Sequence, residues 1–333
     1  MKRLAICYII VTVAFGVNVV LSSTSTKWYN FKLKYGKRYA THQEEQYRFS
    51  VFRKNLQKIA KRNRQYELGL SGHKLGVNKF ADLDRFDFGP KTDTAYTQIA
   101  NNTTHSIFKI PSLAEIPTEI DWRKLGAVTP VQDQGSCSSC WSFAITGALE
   151  AQYFLKHNRL VPLSKQNLVD CGKLYARGLN GCNGAGVPVL SYYYIRDYGI
   201  ESEADYPYEA VERDCRADAS KALTRVSDYV MIPANDEEAM KAAVGLVGPI
   251  SVTIDMRDLY LYQGGIFESD DCLKEVGSGD HAMLIVGYGS DNGVDYWLVK
   301  NSFGVDFGEE GYVRMRRGIN QCGIATYANY PVL

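Results

Sequence analysis

Seven cysteines fall after residue 130 of this 333-residue chain, and seven is an odd number: Cys137, Cys140, Cys171, Cys182, Cys215, Cys272 and Cys322. An eighth, Cys7, lies in an N-terminal apolar segment expected to be removed. In an oxidising compartment six cysteines pair into three disulfides and stabilise the fold by restricting the unfolded chain. One thiol is left over, and in a secreted protein such a thiol is reactive.

The start of the chain supports that compartment. Lys2 and Arg3 precede a mostly apolar run from Leu4 to Leu21, and small residues follow at Ser22 and Ser23. This is the pattern of a secretory signal over residues 1–22. Asn18 interrupts the run, which argues against a membrane anchor. The expected address is the secretory pathway, lysosomal or extracellular.

Charge divides the rest. Residues 1–115 carry 19 Lys+Arg and 8 Asp+Glu, so 19 − 8 = +11; residues 116–333 carry 19 and 29, so 19 − 29 = −10. No basic run is dense enough to favour nucleic acid. A basic front segment docking on its own acidic partner explains the asymmetry. Residues 116–333 are numerous enough for one or two sub-domains around a sizeable core.

Thr41 and Glu44 open a capping box, and a helix is expected from there to about Gln65. Glu44, Arg48, Phe52, Asn55, Ile59 and Asn63 recur at intervals of four, four, three, four and four, which puts all six on one face. Polar and apolar residues mixed on one face predict buried polar pairing. A compact loop or strand follows, containing Gly76, Asn78, Phe80 and Asp82. Residues 83–116 show no periodicity. They hold Asn101 and Asn102, each in an Asn-x-Thr sequon, as expected of an exposed glycosylated linker that a protease can cut.

Beyond Pro117 a helix is expected from Cys140 to about His157, then a loop-heavy stretch over 165–215. Strands are expected at Ile250–Ile254, Ala282–Tyr288, Tyr296–Lys300 and Gly311–Met315. Helices before strands in one unit make an α+β fold.

The chemistry centres on Gln134-Gly-Ser-Cys137-Ser-Ser-Cys140-Trp141. A zinc site needs four ligands, and no second Cys-x-x-Cys or histidine pair follows. A redox pair leaves five other cysteines, again odd. One disulfide cysteine beside one nucleophile accounts for all seven. A nucleophilic thiol needs a base, and only His157 and His281 follow residue 116. His157 sits among charged residues at a helix end, whereas His281 opens an apolar strand. A free thiol has a pKa of about 8.5, and both a helix N-terminus and an imidazolium favour the thiolate. Asn301, at the end of an apolar strand, can orient the imidazole. The side-chain N–H of Gln134 and the backbone N–H of Cys140 can stabilise an oxyanion, where losing one donor typically costs ~100-fold in rate.

Together these residues resemble the papain family of cysteine proteases, and its cathepsin L group in particular, over nearly all of residues 28–333. The six-residue helix face and the Gly76/Asn78/Phe80/Asp82 set match two motifs of that family's pro-region. The resemblance implies an inhibitory, mainly helical pro-domain at 23–115, lying along the cleft in a non-productive direction. A peptidase domain at 116–333 is implied to follow, with a helical left domain and a β-barrel-like right domain. It implies disulfides Cys137–Cys182, Cys171–Cys215 and Cys272–Cys322. It further implies Cys140 as nucleophile, His281 as general base and acid, Asn301 as orienting group and Gln134 in the oxyanion hole. Substrate-binding positions carried over are Gly184, Ala185, Gly186, Val187, Thr253, Gly279, Ala282 and, as a pocket floor, Tyr327. The implied partners are protein or peptide substrates, the chain's own pro-region and cystatin-like inhibitors. The implied state is a monomer without metal or cofactor.

Four positions depart from that pattern. Ser138 and Ala185 stand for glycines, and Phe303 and Phe307 for tryptophans. An alanine forced to positive φ at position 185 costs about 1 kcal/mol or more. These changes leave a non-catalytic binding protein on the same fold as the alternative, and a thiol-redox protein as a more distant one.

Overall fold

A computed structural model describes residues 24–85, 87, 106–112 and 115–333. The N-terminal segment with Cys7, and both sequon asparagines Asn101 and Asn102, lie outside the described residues.

Two helices begin the described chain: α1 over residues 24–35 and α2 over His42–Glu67. Thr41 caps α2, its hydroxyl accepting the Glu44 N–H at 3.1 Å, while the Glu44 carboxylate reaches back to the Ala40 N–H at 3.0 Å. Phe52 packs on Trp28 and Phe31 of α1, with ring centroids 5.2 and 4.8 Å apart, and so closes a small aromatic core. The polar members of the face catch the returning backbone. Asn55 Nδ2 donates to the carbonyls of Ala81 and Leu83 at 2.9 and 2.7 Å. Asn63 exchanges two hydrogen bonds with the backbone of Leu75, and Arg48 pairs with Asp87 at 2.8 Å. Each buried amide therefore fills backbone groups that would otherwise be costly to bury.

Among the described residues ten strands form one sheet: β1 (His73–Leu75), β2 (Ser106–Ile107), β3 (Ile120–Asp121), β4 (Asp228–Ile232), β5 (Ile250–Ile254), β6 (Tyr262–Phe267), β7 (His281–Asp291), β8 (Val294–Lys300), β9 (Tyr312–Arg316) and β10 (Ala328–Val332). Their order is β1-β6-β9-β8-β7-β5-β10-β4-β2, with β3 beside β7. The front segment thus contributes β1 antiparallel to β6 at one edge and β2 parallel to β4 at the other. The unpatterned stretch 83–116 therefore contains a short strand, and its neighbour Phe108 is buried edge-on against Tyr330.

The helical lobe is built on α3 (Cys140–His157), α4 (Lys165–Tyr175) and α5 (Leu190–Tyr198); α6 (Glu237–Leu246) flanks the sheet. Two helices thus occupy the stretch 165–215 that composition marks as loop. Gly199 ends the second of them, and Gly181 and Cys182 lie in the Gly181–Asn183 turn between the two. α3 is the central element, with Trp141, Ile145, Ala148 and Leu149 almost wholly buried. A Cβ on Gly147 would meet Leu284 at 2.8 Å, so glycine there lets α3 approach β7 closely. That approach joins the two lobes behind the cleft.

Candidate active site

Cys140 is the first residue of α3. Its N-cap, Ser139, makes no capping hydrogen bond with its side chain, and the first turn holds no acidic residue. The positive end of the helix therefore faces the thiol without local compensation. Cys137 is bonded to Cys182, which ties this turn to the Gly181–Asn183 turn. Cys171–Cys215 and Cys272–Cys322 are the other disulfides, and Cys140 is the free cysteine among the described residues. With Cys137 committed to Cys182, a Cys137/Cys140 redox pair and a zinc half-site are both ruled out.

His281 opens β7 on the facing lobe, and strand register places its neighbours. In the antiparallel β7–β8 pair Leu284 lies opposite Lys300. Extending that register past the strand end brings Asn301 alongside and Phe303 opposite His281. Asn301 Oδ1 lies 2.8 Å from His281 Nε2 and also accepts the Ser302 N–H at 2.8 Å. An oxygen acceptor there puts the ring proton on Nε2 and leaves the Nδ1 lone pair free. Phe303 stacks on the imidazole at 4.7 Å and shields this bond from water. Burial pushes the His281 pKa down, opposed by the Asn301 hydrogen bond and the Asp280 charge. The next residue, Ala282, donates its N–H to Cys140 Sγ at 3.4 Å, so β7 and α3 meet at the thiol.

Gln134 is buried beside them. One of its two amide N–H groups donates to Cys137 O at 2.9 Å, and its Oε1 accepts from Ser302 Oγ at 2.5 Å. These bonds fix the amide with a second N–H to spare.

Thiol, imidazole and Gln134 share a cavity of about 400 Å3. Gly184, Ala185, Gly186, Thr253, Gly279 and Ala282 line it. Val187 and Tyr327 do not. They are 2% and 4% exposed and pack in the apolar layer of the helical lobe, behind the wall that the neighbouring residues present to the cleft. Pro188, Met256 and Asp280 line the cavity without having been singled out in the sequence. Asp280 was traceable through its adjacency to His281; Met256 carried no sequence signal. Burial pushes the Asp280 carboxyl up to about 6, against the Met256 N–H that it accepts at 2.9 Å.

The departures are accommodated. Ser138 and Ala185 are absent from the positive-φ positions, whereas Gly184 takes φ 95°. The conformation only glycine tolerates thus falls one residue before the alanine. Phe303 and Phe307 pack edge-on at 5.3 Å and receive Phe80 of the front segment at 4.7 and 6.4 Å. Phe80, Leu83 and Asp87 also line the cavity.

Two ion pairs join the front segment to the rest among the described residues: Lys58–Asp258 at 3.4 Å and Lys79–Asp133 at 2.6 Å. In both pairs at least one partner reaches solvent, and such pairs contribute ~0–1 kcal/mol each. Aromatic and backbone contacts therefore dominate the docking, and the charge asymmetry does not. Asn78 Nδ2 donates to Tyr260 O at 2.8 Å, and Tyr260 Oη donates to Asn55 Oδ1 at 3.1 Å.

A helical lobe and a sheet lobe with a thiol and an imidazole–amide pair between them, overlaid by a helical segment, define a zymogen-type thiol hydrolase. Comparison with known proteins agrees. Residues 116–332 match the papain family cysteine protease family, and residues 28–88 match the cathepsin propeptide inhibitor domain. The chain belongs to the papain family of cysteine proteases, and it is a peptide-bond hydrolase made as an autoinhibited zymogen. A cathepsin L-like peptidase of Aedes aegypti is 44% identical over 319 residues, covering 92% of this chain and 93% of the relative. Digestive cysteine proteinase 1 of Homarus americanus is 41% identical, covering 97% and 99%. Digestive procathepsin L 3 of the Tenebrio molitor larval midgut superposes with a TM-score of 0.83 at 40% identity, covering 93% of this chain and 99% of that one. No feature of the cleft favours a non-catalytic protein on this fold.

Proposed function

We propose that Cys140 is the nucleophile of an endopeptidase, with His281 as its base and acid. The observation that carries this reading is one free thiol at a helix N-terminus, sharing a cavity with a buried His281–Asn301 pair. Cys140 Sγ attacks the scissile carbonyl carbon while its proton passes to His281 Nδ1. The oxyanion takes hydrogen bonds from the spare Gln134 N–H and the Cys140 backbone N–H. Collapse breaks the C–N bond, the amine leaves with the proton from His281, and a thioester remains. Water, deprotonated by His281, then hydrolyses the thioester and restores the thiol. Asn301 holds the ring in the tautomer this sequence needs.

The functional units of the reading are a signal at 1–22, a pro-region at 23–115 and a mature peptidase at 116–333, acting as a monomer in a lysosomal or extracellular space. Cystatin-like proteins are its expected inhibitors, and Asn101 or Asn102 its glycosylation site. Among the described residues no helix is long and apolar enough to cross a membrane. Gly186, Thr253, Gly279 and Ala282 offer an apolar wall without a facing cation, which supports modest aliphatic residues at substrate position P2. A P2 peptide library on the mature enzyme tests that, and a strong P2 Arg preference would refute it.

The decisive experiment incubates purified zymogen at pH 5 with a reductant and a fluorogenic dipeptide substrate, then titrates with a thiol-directed epoxide. Turnover that falls in proportion to epoxide bound on Cys140 is expected. Absent turnover, or labelling elsewhere, overturns the assignment.

A further inference from the structure

A second cavity opens on the helical lobe and shares no lining residue with the cleft. Its volume is about 260 Å3, far above the ~10–15 Å3 that a single water requires. The Cys171–Cys215 disulfide and the end of α4 form part of the wall, and the stretch between Gly199 and Ala222 contributes the rest.

Three tyrosines line it. Tyr194 stacks on Tyr198 with centroids 5.4 Å apart, and Tyr175 meets them edge-on at 6.1 and 5.8 Å. Their positions are fixed: Tyr194 Oη accepts from Asn167 Nδ2 at 3.2 Å, and Tyr175 Oη donates to Asp197. Beside them in the lining is Glu201, only 4% exposed. One of its carboxylate oxygens accepts the Asp218 N–H at 2.9 Å, and no described residue donates to the other. No Lys, Arg or His lines the cavity. The other carboxylate there, Asp218, is exposed to solvent and takes the N–H and hydroxyl of Ser220 on one oxygen. A largely buried carboxylate whose second oxygen opens into a cavity walled by aromatic rings can pair with a cation there.

We propose that this cavity binds a primary organic ammonium ion carried on a small apolar or aromatic body. The ammonium donates a charge-assisted hydrogen bond to Glu201 and lies against tyrosine rings, whose π-systems attract cations. The body covers Leu174 and Tyr198, which are 72% and 53% exposed at the cavity's edge. Anions are repelled by the two carboxylates. A neutral ligand of the same shape would desolvate Glu201 without pairing it.

Calorimetric titration of the full-length zymogen with 2-phenylethylamine, against neutral 2-phenylethanol, reads this directly. The amine is expected to bind one per chain, at least about tenfold more tightly than the alcohol. Glu201→Gln keeps an acceptor for the Asp218 N–H; it should weaken the amine about tenfold and leave the alcohol unchanged. Tyr198→Ala should weaken both. Soaking the amine into crystals of the unmodified zymogen gives a readout independent of any variant, with the nitrogen expected within hydrogen-bond distance of Glu201. Equal binding of amine and alcohol, an amine seated elsewhere, or no binding at ~10 mM overturns the proposal.

Discussion

Replacing Phe80 by alanine should open the zymogen without disturbing the catalytic residues. Phe80 reaches across to Phe303 and Phe307, and Lys79 lies over Phe303 at 5.5 Å. A fully buried Phe→Ala change costs ~3–5 kcal/mol; Phe80 is part-buried, so roughly half of that, ~2 kcal/mol, applies. The lost edge-to-face contacts add ~0.5–1 kcal/mol. A sum of ~2–3 kcal/mol raises the population with the cleft uncovered by about 30- to 150-fold. The assay is the rate at which a thiol-directed epoxide labels Cys140 in full-length zymogen at pH 7.5. When closing is faster than labelling, that rate follows the open population. Leu33→Ala, at a position 65% exposed, is the matched control and should change the rate less than twofold. If Phe80→Ala accelerates labelling by less than threefold, the aromatic contact does not hold the segment down, and the reasoning is wrong.

Three further outcomes are expected. His73 of β1 is buried against Phe267, and burial, with Arg62 and Lys58 nearby, pushes its pKa down to about 4. Its neutral form is the docked one, so docking is unaffected above about pH 6.5 and weakens as pH falls towards 4, by about 2 kcal/mol at pH 5; His73→Gln should cut the ratio of processing rates at pH 5 and pH 7.5 at least fivefold, and an unchanged ratio would rule His73 out as the acid sensor. Burial pushes the Glu150 carboxyl up, but Lys165, at 2.8 Å, and Lys300 outweigh it and hold it low; Glu150→Gln strands two buried cations and should cost ~3–5 kcal/mol, read as a Tm drop of roughly 6–20 °C, whereas a change under about 1 °C contradicts this. Phe303→Ala uncovers the His281–Asn301 bond; because burial is what lowers the His281 pKa, the limb of the pH–rate profile that reports it should move up and kcat/KM should fall, and an unmoved limb would show that Phe303 is not the shield.

Much of this was legible because the informative residues combine two constraints. Cys140 was found by parity and by its helix start, and the α2 face by spacing alone; its asparagines then proved to bind backbone, as a mixed buried face requires. Strands β7 and β8 were readable since both are continuous apolar runs. β6 was not, because Gly264 and Gly265 break its pattern, and β10 was not, because Pro331 argues against a strand that in fact pairs with two neighbours. Val187 and Tyr327 sit in the apolar layer of the helical lobe and not in the cavity lining, because family correspondence fixes position along the chain but does not fix which way a side chain points. The formal charges suggested electrostatic docking, yet two cross-pairs form among the described residues: most of the described cations of the front segment face water or pair within it, as Lys37 does with Asp82 at 2.8 Å.

The pairing of β1 with β6 has an aftermath. While the zymogen is intact, β1 lies in register with β6, and at its ends the Ile266 N–H donates to Gly72 O at 2.8 Å and the Leu261 carbonyl accepts the Gly76 N–H at 2.9 Å. Once the leading segment is cleaved and drifts off, that margin is left with bare amides and carbonyls pointing outward, a template any extended peptide can complete. The ripened enzyme therefore gains a second place where foreign polypeptide can zip on, remote from where bonds are cut, and concentrated preparations should self-associate through it after processing and not before.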